Sequence, residues 1–176
     1  MPPAPGTYTF GPHNGELLVH TRRSGTVAVA GHDLVIEVTS WSGTLQRDDG
    51  SDTTAVALSA DGGSLRVREG RGGIQPLGED DKASIKQSID DDVLKRRTIS
   101  FRSRSVRGGS VMTVEGDLEL LGVSRPIAFE LEFADDGRLS ARATVKQTDF
   151  GLKPYSILFG TLKVSDEVEV TLKAKV

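Results

Sequence analysis

Cysteine is absent from this chain of 176 residues, and aromatic residues make up only 5% of it. The lack of cysteine excludes disulfides and thiolate chemistry. The scarcity of aromatic rings argues against a platform on which nucleic-acid bases stack. Long hydrophobic runs are also missing, so we expect no segment that inserts stably into a bilayer. These absences predict a small water-soluble domain.

Charge excludes a second class of partner. The 22 basic and 25 acidic residues are mixed along the chain and give a net charge of −3. No basic face is evident, so we predict no nucleic-acid partner.

Residues 1–6 have neither a basic stretch nor an apolar stretch of the kind that secretion signals carry, which predicts a cytoplasmic location. The length suits one domain, and we predict a single domain over residues 1–176.

Most of the chain alternates apolar and polar residues. Because successive strand side chains point to opposite faces, each alternating segment predicts a strand with one apolar side. A sheet of such strands buries its apolar face by curling or by stacking on another sheet. Four of these segments lie between residues 111 and 176. The earlier ones span residues 8–10, 16–22, 33–39, 41–47, 53–60, 64–68 and 97–102.

One segment has a different period. Between Glu79 and Leu94 the apolar residues Ile85, Ile89 and Val93 recur every four positions, behind acidic residues that suit a helix N-terminus. Such a stripe can lie across a sheet or close an opening. We therefore predict an all-β fold: an extended antiparallel eight-stranded β-barrel with one inserted α-helix.

The search for catalytic and metal-binding motifs is negative. Neither a Gly-x-Ser-x-Gly turn nor a phosphate-binding glycine loop is present. His32 and Asp33 are direct neighbours on a strand and point to opposite faces, so they form no acid–base pair. Residues 90–92, three consecutive aspartates, fan around a helix axis and are interpreted as a solvated acidic face. We predict no catalytic residue, no metal site and no cofactor.

Several short motifs occur in a fixed order along nearly the whole chain. They are Tyr8 with Pro12-His13, Trp41–Leu45, Val93-Leu94 followed by Ile99–Ser103, Leu118–Ile127, Asp149–Gly151 and Val164–Val168. Together they resemble the YceI-like family of bacterial polyisoprenoid-binding, lipocalin-like proteins. Departures from the family pattern are Arg125 in place of a lysine, Arg97-Thr98 in place of a proline, and the segment Gly31–Leu34.

This resemblance implies an elongated lipocalin-like barrel whose long apolar pore holds an isoprenoid lipid or an isoprenoid quinone. The residues themselves agree with a container, since eight strands can enclose one slender ligand. The same number of strands can also be filled by side chains alone. Small inward residues such as Ala141 and Ala143 favour a cavity over a solid core.

The expected pore lining consists of apolar residues on the inward faces of strands, and for each of them simple core packing is the alternative. They are Leu34, Ile36, Met112, Val114, Leu118, Ile127, Phe129, Leu131, Phe133, Leu139, Val145, Val168, Val170 and Leu172. For the mouth we choose His32, Arg102, Lys153 and Tyr155, with Arg102 as a partner for a pyrophosphate. The alternative for the mouth is surface charges and a loop tyrosine.

The sequence supports two hypotheses of function. The first is non-enzymatic binding, transport or storage of an amphiphilic isoprenoid, with this small lipophilic molecule as the partner. The second is an enzyme acting on a lipophilic substrate in the same pocket, which needs at least two titratable groups converging inside. A structural dimer module would instead have a packed interior, and pairing of edge strands would give a homodimer in any of these cases.

Overall fold

In the computed structural model the described residues are 4–49, 54–157 and 162–176, so the predicted turn residue Gly50 and strand residue Thr53 lie outside them. The described chain is dominated by antiparallel strands. They are β1 (Gly6–Phe10), β2 (Gly15–Thr21), β3 (Arg23–Ser24), β4 (Asp33–Val38), β5 (Trp41–Arg47), β6 (Ala55–Asp61), β7 (Leu65–Arg71), β8 (Thr98–Gly108), β9 (Val111–Leu120), β10 (Val123–Phe133), β11 (Arg138–Lys146), β12 (Ser156–Ile157), β13 (Leu162–Val164) and β14 (Glu167–Lys175).

Eleven of these strands form one curled sheet in the order β1-β5-β6-β8-β9-β10-β11-β14-β2-β4-β7. The other three, β12, β13 and β3, form a small second sheet. The predicted all-β antiparallel fold is confirmed. The number of strands is higher than the predicted eight, because two long strands are each broken into halves and short edge strands are added.

The two broken strands join the ends of the curled sheet. β4 and β5 are halves of one strand that bends at Thr39 and Ser40, and β6 and β7 are halves of another that bends at residues 62–64. Across the bend Thr39 N–H donates to Ser64 O at 2.9 Å, and Asp61 N–H donates to Ser40 O at 3.0 Å. The ladder therefore continues through this corner. With each bent strand counted once, the curled sheet has nine strands, one more than the eight that the sequence predicts.

The inserted helix also agrees with the sequence. The α-helix α1 spans Glu79–Ser88, and a π-helical turn, Ile89–Val93, continues it. Gly78 N–H donates to Asp81 Oδ2 at 3.0 Å, which caps the first turn. In the described ranges, no helix has the length and apolar character that crossing a membrane requires.

The acidic run after α1 matches the prediction of a solvated face at Asp91 and Asp92, which are exposed, and differs from it at Asp90. Asp90 is only 7% exposed. Its Oδ2 accepts a hydrogen bond from Lys86 Nζ at 3.0 Å and lies 3.8 Å from Arg96 Nε. Lys86, one turn earlier on the same face, also donates to Gly63 O at the bend between β6 and β7. The helix thus turns Asp90 toward the sheet, where two cations compensate its burial.

One end of the barrel is filled by side chains. We call it the packed end, and define it by five residues that are no more than 2% exposed. They are Leu45, Met112, Val114, Phe133 and Leu139. Outside them the Tyr8 ring meets the Phe133 ring edge-on, with centroids 4.8 Å apart. This edge-to-face contact is a favourable aromatic geometry, so the packed end is well stabilised.

A glycine-to-alanine substitution tests how β1 packs on the barrel. Gly43 on β5 is the register partner of Phe10, and a Cβ added at Gly43 would collide with the Phe10 ring. We expect Gly43→Ala to lower the free energy of unfolding by about 1–3 kcal/mol, since Phe10 must leave its position. Urea denaturation measures the difference.

The matched control is Gly109→Ala, because a Cβ there meets nothing within 4 Å. We expect it to change the unfolding free energy by less than about 0.5 kcal/mol. Equal midpoints for the two variants would contradict the packing of Phe10 on Gly43.

Candidate functional site

Above the packed end the curled sheet encloses a cavity of about 510 Å³, which we call the inner cavity. Its wall is formed mainly by aliphatic and aromatic side chains from β2, β4, β6, β8, β9, β10, β11 and β14. Pockets of about 300–1,000 Å³ with such walls are typical of small-molecule binding sites. The inner cavity is therefore the candidate functional site.

Most of the predicted apolar lining residues border the inner cavity. The strands bring them together because each lies at an inward position of its strand. They are Leu34, Ile36, Leu118, Ile127, Phe129, Leu131, Val145, Val168, Val170 and Leu172. Their contact with a ligand stays a prediction.

Four predicted lining residues lie elsewhere. Met112, Val114, Phe133 and Leu139 belong to the packed end and do not border the inner cavity. They do face inward, as the alternation predicts. The alternation specifies which face a side chain occupies, and it contains no information about height along the barrel. For these four residues the structure favours the alternative given in the sequence analysis, which is that they pack the core.

The predicted mouth residues divide in the same way. His32 and Tyr155 border the inner cavity, whereas Arg102 and Lys153 do not. Phe101 takes the inward face of β8, so its neighbour Arg102 is exposed on the outer face. Lys153 is exposed as well, and Leu152 beside it is buried against the cavity instead.

The roof of the inner cavity comes from the helical segment. Ile85, Ile89 and Val93 all border it. Their spacing of four residues predicts a helix that can close an opening, yet they are missing from the predicted lining. Inward residues of β2 and β6, such as Leu17 and Val56, are missing too, although they show the same alternation as the rest.

Few charged residues border the inner cavity. The charged residues that border the inner cavity are Arg23, Arg142 and Lys163, and in the described part of the chain no aspartate or glutamate borders it. Arg142 is paired with Glu169, Nε to Oε1, at 3.4 Å. Arg23 donates from one guanidinium nitrogen to Gly31 O at 2.8 Å and to a second backbone carbonyl at 3.1 Å. The cavity therefore has an apolar interior and a cationic mouth.

A second cavity, which we call the outer pocket, adjoins this mouth and also measures about 510 Å³. Both cavities are bordered by Ala30, His32, Ser84 and Ile85, so these residues stand between them. The His32 ring is fixed by donation from Nε2 to Gln75 O at 2.7 Å. Neighbouring Asp33 instead accepts from Arg23 N–H at 2.8 Å, which leaves His32 without a carboxylate partner there.

Metal chemistry finds no support in this region. Over residues 4–49, 54–157 and 162–176, no group of three or more histidine, aspartate or glutamate side chains is placed to hold an ion. The mouth can therefore offer hydrogen bonds and positive charge, and the interior can offer apolar surface.

The comparisons with known proteins agree with this architecture. The family model of the YceI-like domain matches residues 8–176. The chain belongs to the YceI-like family. No curated protein matches the chain at a significant level.

Solved structures of several other proteins have a similar fold. BcnA from Burkholderia cenocepacia has 16% identity and a TM-score of 0.68, with 93% of this chain and 96% of BcnA covered. The YceI protein of Campylobacter jejuni has 15% identity and a TM-score of 0.58, with 80% and 82% covered. A polyisoprenoid binding domain from Saccharophagus degradans has 12% identity and a TM-score of 0.57, with 98% and 100% covered. At these identities the likeness shows the fold.

One carboxylate organises the wall of this YceI-like mouth. Asp166 Oδ2 accepts from the Thr148 hydroxyl at 2.6 Å, and its Oδ1 accepts from Thr148 N–H at 2.8 Å. Gln147, next in the chain, borders the cavity and donates its side-chain amide to Ser165 O at 3.0 Å. The hydrogen bond from the Thr148 hydroxyl holds the pKa of Asp166 below its ordinary value, and the Thr148 amide and the Lys146 charge act in the same direction.

This pKa direction predicts a pH response of the mouth. A depressed pKa means that Asp166 stabilises the turn above its unfolded-state pKa and loses that effect as the pH falls through its folded-state pKa. We expect the Thr148 amide signal in NMR spectra to titrate with a midpoint below about 3.9, the ordinary aspartate value.

Asp166→Asn removes the titrating group and is expected to abolish this transition. Asp149→Asn, a change in the same turn, is the control and should leave it in place. A Thr148 midpoint at or above the ordinary aspartate value would contradict the role of Asp166.

Proposed function

We propose that this YceI-like protein binds one amphiphilic isoprenoid, a polyprenyl lipid or an isoprenoid quinone, and carries or stores it without chemical change. The tail occupies the inner cavity and the head group lies at the mouth. The observation that carries this proposal is a mainly apolar cavity of about 510 Å³ that has Arg23, His32 and Lys163 on its border. An amphiphile has the same division between a long apolar part and a small polar part.

The energetics favour such a ligand. Each methylene group transferred from water to an apolar wall contributes about 0.8 kcal/mol. A tail of several isoprene units therefore binds tightly without any polar contact along its length. The description of the Saccharophagus degradans domain as polyisoprenoid binding supports the same ligand class for this chain.

The head group meets different residues from those that the sequence predicts. Arg102 and Lys153 are exposed and away from the cavity. We propose that Tyr155 and His32 remain head-group contacts and that Arg23 and Lys163 supply the positive charge. A cationic mouth favours a phosphate, a carboxylate or the carbonyl oxygen of a quinone.

Binding without chemistry is supported by the lining itself. A general acid–base mechanism needs titratable groups within hydrogen-bond reach of the reacting atoms. Among the described residues, the cavity wall contributes no carboxylate. Arg23, His32 and Lys163 border it near the mouth, and Arg142 has an exposed side chain beside Glu169. No observation favours the enzyme hypothesis over binding. The single domain, the cytoplasmic location, the homodimer and the lack of nucleic-acid binding stay predictions.

A pair of neighbouring substitutions tests the proposed site. Ala143 borders the inner cavity, whereas Thr144, the next residue of β11, is exposed on the outer face. We expect Ala143→Trp to weaken binding of a short-chain isoprenoid quinone at least tenfold, because the indole occupies the space of the tail. Isothermal titration calorimetry measures the affinity.

Thr144→Trp adds the same side chain outside the barrel and is expected to leave the affinity unchanged. Organic extraction of the purified protein followed by mass spectrometry is expected to release a prenyl lipid in near-stoichiometric amount. The proposal would be overturned if extraction released no prenyl lipid and titration detected no binding of prenyl quinones.

A further inference from the structure

The inner cavity ends before the barrel does. Its floor is formed by Phe10, Leu131, Ala141 and Leu172, which border the cavity. Leu131 is the register partner of Met112, and Met112 belongs to the packed end and does not border the cavity. The boundary between hollow and filled barrel therefore runs between these two paired side chains.

The inner cavity does not extend between the side chains of the packed end. Met112 is 1% exposed and Leu45 and Val114 are fully buried. Interiors packed in this way have few voids larger than a water molecule. The Tyr8 ring covers the outside through its contact with Phe133. A tail that enters at the mouth consequently stops at the floor.

We propose that the packed end limits the length of the ligand's tail, so that this protein discriminates against isoprenoids whose tails are longer than the inner cavity. The inference rests on the proposed function for the chemical class of the tail and adds a limit on its length. Met112 and Ala141 are the residues that determine it.

The proposal predicts that affinity rises with tail length only up to a certain number of carbons. We call this number the break. Below the break each added methylene is buried and raises the affinity about fourfold. Beyond it the added groups remain at the mouth in contact with water and add little. In a barrel that is open from end to end, affinity would instead continue to rise with tail length and show no break.

The experiment measures the affinity of the full chain for two series of probes by calorimetry. Saturated n-alcohols resolve the break to single carbons, and linear prenyl alcohols of about two to about nine isoprene units test the natural tail chemistry. We expect a break within the tested range in both series, at the chain length that fills the inner cavity.

Two substitutions move the break in opposite directions. Met112→Ala removes three heavy atoms from the packed end, and we expect the break to lengthen by about three carbons. Ala141→Leu adds three carbons to the floor, and we expect the break to shorten by about the same amount. Because Ala141→Leu fills empty space, it tests the inference even if Met112→Ala does not fold. Thr113→Ala and Thr144→Leu, on the outer faces of the same strands, are the matched controls and should leave the break unchanged.

Each outcome decides a separate claim. Affinity that rises through the longest probes, or a break that stays in place in Ala141→Leu, overturns the length limit and leaves the proposed function standing. A break with n-alcohols but no binding of prenyl alcohols supports the length limit and overturns the isoprenoid class. Binding of neither series overturns both.

Discussion

The corner at Thr39 and residues 62–64 is the constraint on which the rest of the structure depends. Two strands bend there together, and the hydrogen bonds across the bend keep them paired. Without this joint the curled sheet would end in two open edges, and its apolar face would stay in contact with water. The close approach of the backbone explains a glycine at this point, since a Cβ on Gly62 would collide with Arg97 O.

The joined sheet holds two different interiors. At one end Phe133, Met112 and Leu139 are no more than 2% exposed and do not border the inner cavity. From the cavity floor upward, alanines at positions 141 and 143 stand where larger side chains would be needed to fill the same width. Barrels of about eight strands lie at the size where side chains can either fill the interior or leave room for one ligand. In this protein one part of the barrel interior is filled by side chains and another part is hollow.

Much of this organisation follows from the order of residues along the chain. Alternation predicts the long strands and their inward faces, and the four-residue spacing of Ile85, Ile89 and Val93 predicts the helix that covers the cavity. The same alternation places Arg102 on the outer face, because its neighbour Phe101 faces inward. The prediction of Arg102 as a mouth residue was therefore wrong about its position, and the alternation with Phe101 could have shown this from the sequence. The exposure of Lys153 could not be read in the same way, because Lys153 lies in an irregular segment with no alternation.

What the sequence by itself determined is the class of fold, the face on which each strand residue lies and the apolar character of the interior. These properties are local, since they depend on the geometry of a strand and the chemistry of single side chains. The tertiary structure alone decided where the cavity stops and which groups stand at its mouth. Arg23 meets Gly31 and the end of β7 there, and Leu131 borders the cavity beside a buried Met112. Such neighbours are set by strand register and by the bend at the corner, which bring distant segments to one height of the barrel.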